Sequence, residues 1–103
     1  MGIDIAWVDE QGKEMQFISD AQGGLMSFIL ESSGLEGTAC LRFIDPFGDT
    51  IFNQGQIGAL ITELEVVTSR HHKAETAQQL ERIARLARTA QGKTHTYLKF
   101  IGD

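Results

Sequence analysis

Two consecutive stretches with helical periodicity constrain the fold of this chain most, because they separate two predicted strands. Apolar residues recur every three or four positions across 54–68 and again across 74–91, which predicts two amphipathic helices. Asn53 is a favourable N-cap for the first helix. Two antiparallel helices return the chain to the end of the sheet that it left. We therefore expect strands 50–52 and 94–101 to be antiparallel to each other.

The N-terminal third predicts a hairpin followed by a short helix. Residues 3–8 and 14–18 alternate apolar and polar side chains, and Gly12 lies in the turn between them. The next stretch, 19–35, is ambiguous. Its apolar residues favour a short helix by their spacing, while a short strand over 25–30 is the alternative.

A further strand is predicted over 38–45, with the sequence TACLRFID, and Asp45-Pro46-Phe47-Gly48 is typical of a tight turn after it. The 103 residues suit one domain, 1–103. The predicted fold class is α+β, with a single mostly antiparallel sheet of about five strands. Two long helices and one short helix are expected on one face of this sheet, over Leu41, Phe43, Leu98 and Phe100.

The opposite face of the predicted sheet has a mixed composition. Strand 38–45 is expected to lie beside strand 94–101, because LRFID resembles the terminal LKFIGD. The path of the two helices makes these two strands parallel. This mixture of apolar and charged side chains is typical of surfaces that associate with a second copy or another protein. The residues expected there are Cys40, Arg42, Ile44, His95, Tyr97, Lys99 and Ile101.

Charge is unevenly distributed along the chain. The net charge is −5, yet residues 70–93 hold six basic residues against two acidic ones. Arg82, Arg85 and Arg88 form a stripe on the second long helix. The stripe is interpreted first as a solvated surface, second as a surface for an acidic protein partner such as a second copy. Nucleic acid is disfavoured, because the chain is acidic and this segment lacks aromatic residues.

Oxygen-bearing side chains cluster around the predicted turn. Asp45, Asp49 and Asn53 follow one another at intervals of four, and Asp103 approaches them if the two similar strands are neighbours. Such groups can hold Mg²⁺ or Ca²⁺, but the spacing matches no EF-hand loop. Hydrogen bonds within the turn and helix capping are the favoured interpretation, and a ligand site is the alternative.

The remaining candidates for chemistry are weaker. His71 and His72 are adjacent and, with His95, are interpreted as surface residues rather than zinc ligands. Cys40, the only cysteine, is expected to be a small core residue and has no disulfide partner. No nucleophile motif or phosphate-binding glycine loop is present, so we expect no cofactor and no metal.

The expected location is the cytoplasm, without membrane association. No apolar run reaches the roughly 18 to 20 residues needed to span a bilayer. The N-terminal MGIDIAWVDE lacks the basic start and long apolar core of a signal peptide.

The run LRFIDPFGDTIFN and the terminal YLKFIGD carry a resemblance. With Leu60, Glu63 and Leu64 between them, they are similar to a group of small bacterial proteins that share an LRFIDPxGDTxFN…YLxFxGD pattern. Similar proteins are encoded on mobile gene cassettes of the integron type. The resemblance covers 38–103 and brings no activity, cofactor or catalytic residue. It implies one shared structural device formed by Asp45, Gly48, Asp49, Thr50, Asn53, Gly102 and Asp103.

These observations favour a non-enzymatic binding protein, expected to be a homodimer. The exposed sheet face or the basic helix would form its interface. One alternative is a small-ligand- or metal-dependent enzyme with a site at the Asp45–Asn53 turn and Asp103. Another is an immunity-type protein that neutralises a toxin, an analogy based on size and charge.

Overall fold

One antiparallel sheet of four strands forms the framework of the computed structural model, which describes residues 2–31, 33–70 and 73–103. The order of the strands across the sheet is β2-β1-β4-β3, and every neighbouring pair is antiparallel. The antiparallel pairing predicted for the last two strands is thus confirmed, as is the α+β class. The strands are β1 (Asp4–Asp9), β2 (Glu14–Ile18), β3 (Asp49–Phe52) and β4 (Thr96–Ile101).

Three α-helices accompany the sheet within the described ranges. Helix α1 spans Gly24–Glu31, α2 spans Gln54–Ser69 and α3 spans Ala74–Ala90. The helix favoured in the ambiguous 19–35 stretch is therefore formed, and its N-terminus is capped by Asp20. The Asp20 carboxylate accepts hydrogen bonds from the backbone N–H groups of Leu25 and Met26 at 3.1 and 2.9 Å.

The strand predicted over 38–45 is not formed, so the expectation of about five strands is wrong by one. Residues Leu41–Phe43 make a single 3-10 turn instead. Leu41 and Ile44, three positions apart, are both buried, while Phe43 is 71% exposed. Spacing by three is the period of a 3-10 turn, and it places Phe43 in solvent rather than on the sheet.

The core lies between the sheet and helices α2 and α3. Leu98 and Phe100 of β4 are fully buried, as predicted, and Ile5 of β1 pairs with Phe100. Phe52 contacts Phe100 edge to face, with ring centroids 5.5 Å apart. Because β4 is an inner strand, its alternation of buried and partly exposed residues separates a helix-covered face from a second face.

The second face, here called the outer sheet face, carries no helix from the described parts of the chain. One row of residues crosses all four strands in the order Phe17, Ala6, Lys99, Ile51. Flanking rows add Glu14, Val8 and Tyr97 on one side, and Asp4, Ile101 and Asp49 on the other. Met15 lies at the register shift between Gln16 and Glu14, two positions from Phe17.

None of the described helices is long and apolar enough to cross a membrane.

Candidate functional site

The predicted turn at residues 45–48 is formed, and its polar atoms are engaged within the chain. The Asp45 carboxylate accepts the backbone N–H of Phe47 at 2.8 Å. The backbone N–H of Asp45 in turn donates to the Thr50 hydroxyl at 2.9 Å. Asp45 therefore acts as a turn residue whose side chain bonds to backbone two positions later, and this motif needs no ligand to be satisfied.

The C-terminal residues pack against this turn. The backbone N–H of Gly102 donates to the carbonyl of Gly48 at 2.7 Å, and that of Asp103 donates to the carbonyl of Pro46 at 3.0 Å. A Cβ atom on Gly102 would lie 2.6 Å from the Pro46 oxygen and 2.7 Å from two backbone atoms of Gly48. Only glycine fits at position 102 without a backbone shift.

Asn53 forms the N-cap of α2, as predicted. Its side chain accepts the backbone N–H of Gln56 at 3.0 Å, and the Gln56 side chain accepts the backbone N–H of Asn53 at 3.0 Å. This reciprocal pair is a capping box. The carboxamide of Asn53 is thus occupied with the helix terminus.

The carboxylates of Asp49 and Asp103, near the turn, do not bond to its backbone. Asp49 lies 3.5 Å from the Lys99 ammonium, and both side chains are partly exposed. Asp103 is exposed and uses its backbone, rather than its side chain, to contact the turn. Among the described residues, no group of three or more His, Cys, Asp or Glu is arranged to hold a metal ion.

Glu63 holds the segment that precedes the turn, and sequence reasoning missed this role. Its carboxylate, from α2, accepts the backbone N–H groups of Ala39, Cys40 and Leu41 at 2.8 to 3.0 Å. Three converging N–H groups hold a carboxylate strongly.

Burial raises the pKa of the Cys40 thiol, and the nearby Glu63 charge raises that pKa further. A thiol with a raised pKa is a poor nucleophile near neutral pH, which fits a structural role for Cys40.

The outer sheet face carries large exposed apolar side chains. Phe17 is 48% exposed, Ile51 56% and Met15 40%. Ala6 and Val8 on this face are buried although no described helix covers them. The cross-strand neighbours of Ala6 are Phe17 and Lys99, and those of Val8 are Glu14 and Tyr97. The larger neighbouring side chains therefore cover these two residues from solvent and form a shallow apolar surface.

The residues predicted for the interface divide between this face and other places. Tyr97 and Lys99 lie on the outer sheet face, both half-buried. Arg42 does not, because the strand predicted for it is absent; its guanidinium lies 5.6 Å from the centroid of the Phe43 ring. Cys40 and Ile44 are likewise off the sheet, and Ile44 is buried in the core.

His95 precedes β4 and lies outside the outer sheet face. Its φ of 63° is in the left-handed region, and its Nδ1 lies 3.5 Å from a carboxylate oxygen of Glu10. Both side chains are mostly exposed. His71 and His72, the other two histidines considered as zinc ligands, lie outside the described residues.

The three arginines of α3 have different surroundings. Arg88 pairs with Glu65 of α2 at 3.0 Å and with Glu81 at 3.8 Å. Arg82 donates to the side-chain oxygen of Gln79 at 3.1 Å. Arg85 is exposed and lines a groove beside β2. The arginine stripe is thus divided between a surface ion-pair cluster and a groove.

Comparisons with protein-family models, curated protein sequences and solved structures found no match for this chain.

Proposed function

We propose that this protein is a non-enzymatic interaction protein that forms a homodimer through its outer sheet face. The observation that carries the proposal is the exposure of Met15, Phe17 and Ile51 on a sheet face that no described helix covers. Removing the large apolar side chains of one face from water is favourable in free energy, so such a face favours association.

The order of residues across the face favours a second copy as the partner. Phe17 and Ile51 lie at opposite ends of one cross-strand row, with Ala6 and Lys99 between them. A twofold axis parallel to the strands would bring Phe17 of each copy opposite Ile51 of the other. The stem of Lys99 would cover Ala6, while its ammonium group stays near Asp49.

Size predicts that this dimer is weak. At about 4.8 Å between strands and about 3.3 Å per residue, the face measures about 19 by 17 Å. This footprint is smaller than the roughly 800 Å² that each partner buries in a standard interface. We therefore expect a concentration-dependent dimer with a dissociation constant of roughly 10⁻⁵ M, rather than an obligate one.

Sedimentation velocity over a range of concentrations tests the proposal. The unmodified protein should shift from monomer to dimer as its concentration rises. Phe17→Lys and Ile51→Lys should each weaken association by at least about tenfold, because each places a charge in the apolar contact. Val66→Lys is the matched control, since Val66 is also about half exposed, at 46%, but lies on α2.

Two outcomes would contradict the proposal. A monomer at every concentration up to the millimolar range would exclude the dimer. A dimer that both lysine variants leave intact, while Val66→Lys disrupts it, would place the interface on the helices.

A further inference from the structure

A groove separates the edge strand β2 from helix α3. It has a volume of about 200 Å³ and is lined by Gln16, Ile18, Arg82, Arg85, Leu86 and Thr89. A second cleft, of about 430 Å³, continues from Arg82 past Gln79 to Lys73 at the start of α3. Arg82 lines both, so the two adjoin along the helix, and together they are called the trough here.

The β2 side of this trough is an open strand edge. Strand β2 pairs with β1 alone, so its other edge faces solvent. Along such an edge, alternate residues direct their backbone N–H and C=O groups away from the sheet. Residues 14–17 are all exposed, and no described element other than β1 pairs with them. An extended segment of chain can therefore add to this edge by backbone hydrogen bonding.

The charge of the trough favours an acidic segment. Lys73, Arg82 and Arg85 line it and are exposed. The two acidic lining residues are Glu75 and Asp20. The Asp20 carboxylate already accepts three backbone N–H groups, including that of Ile3 at 3.0 Å, which leaves little of it for a ligand.

The two faces of β2 differ, and this difference specifies which side-chain types should alternate along the extended segment that adds to its edge. Gln16 and Ile18 face the helix side with Arg82 and Arg85, whereas Phe17 lies on the outer sheet face. Side chains of an added strand would alternate between these two sides. Acidic residues at the alternate positions that face α3 would contact the arginines. Apolar residues at the intervening positions would extend the apolar surface beside Phe17.

From this geometry we infer that the trough binds an extended peptide with alternating acidic and apolar residues, added as a fifth strand on the edge of β2. The surface differs from the proposed dimer contact, because it uses the edge of the sheet and the arginine side chains of α3. The inference stands whether or not the protein dimerises.

Fluorescence anisotropy with a labelled seven-residue peptide of alternating Glu and Val tests the inference. We expect saturable binding that weakens as salt rises. Arg85→Gln should weaken binding about three- to fivefold, and the Arg82→Gln, Arg85→Gln double variant about tenfold or more. Arg88→Gln is the matched control, because Arg88 lies on the same helix but outside the trough and pairs with Glu65. It should leave the affinity unchanged.

Peptide controls separate strand addition from simple charge attraction. A peptide of the same composition with its Glu residues in one block should bind at least about fivefold more weakly. Two further peptides carry N-methyl groups on alternate backbone amides, one on the amides of the Glu residues and one on those of the Val residues. One of the two should fail to bind and the other should bind normally, because only one set of amides faces β2. The inference is overturned if the block peptide binds equally well, if both N-methylated peptides behave alike, or if Arg85→Gln and Arg88→Gln have the same effect. An absence of binding up to 1 mM peptide would overturn it as well.

Discussion

At the residue scale, one carboxylate explains why the segment around Leu41 leaves the sheet. Glu63 collects three consecutive backbone N–H groups, from Ala39 to Leu41, that a strand would direct alternately to its two neighbours. Convergence of the three donors on one anion requires a curved backbone, and the 3-10 turn that follows continues this curvature. Because Glu63 is 22 to 24 positions away, the local pattern of 38–45 contains no sign of it.

Replacement of Glu63 by Gln should destabilise the protein. An amide keeps one acceptor oxygen and loses the charge, so we expect a loss of about 1–3 kcal/mol in the free energy of unfolding, measured by urea denaturation. Glu65→Gln, two positions along α2, is the control. Its carboxylate makes an exposed ion pair with Arg88, and the change should cost about 0.5 kcal/mol or less. Equal effects of the two substitutions would refute the role assigned to Glu63.

Gly102→Ala should also destabilise the fold. The added Cβ would lie within 2.7 Å of backbone atoms in the turn, so either the turn or the end of β4 must move. We expect a loss of about 1–3 kcal/mol, seen as a lower midpoint in urea. Gly24→Ala, at the start of α1, meets nothing within 4 Å and should be neutral or slightly stabilising. An unchanged midpoint for Gly102→Ala would show that the turn tolerates a side chain there.

At the element scale, the sequence predicts strongly periodic segments well and the 38–45 connection poorly. Both long helices, the hairpin and the last two strands follow local patterns, and the structure contains them. Residues 38–45 alternate too, but the backbone N–H groups of Ala39, Cys40 and Leu41 bond to the distant Glu63 side chain, which outweighs strand propensity. Asp45 and Asn53 make the local hydrogen bonds that their positions in the sequence predict.

The capping box of α2 provides an element-scale prediction. Asn53→Ala removes the acceptor for the Gln56 N–H and should lower the free energy of unfolding by about 1 kcal/mol. Asn53→Asp retains an acceptor at the helix N-terminus and should be close to neutral. Thermal unfolding followed by far-UV circular dichroism compares the two. If Asn53→Asp is as damaging as Asn53→Ala, the carboxamide has a further role, for which the turn ligand hypothesis would be the first explanation.

At the scale of the whole molecule, the sheet has one covered and one uncovered face. Helices α2 and α3 cover Leu98 and Phe100, while Phe17 and Ile51 remain exposed on the other side. The sequence predicts a second face of mixed apolar and charged composition, but assigns part of it to Arg42 and its neighbours. The apolar residues that form it come from both edge strands, so they could be brought together only once the strand order was known.

Backbone amide chemical shifts, recorded by nuclear magnetic resonance while the protein is diluted from 1 mM to 20 μM, test the proposed dimer most directly. We expect concentration-dependent shifts at outer-face residues such as Phe17, Ile51 and Tyr97, and constant shifts at Val66 on α2. Phe17→Lys should abolish the dependence at Ile51, across the sheet. Shifts that stay constant throughout, or that concentrate on α2 and α3, would contradict self-association through the outer sheet face.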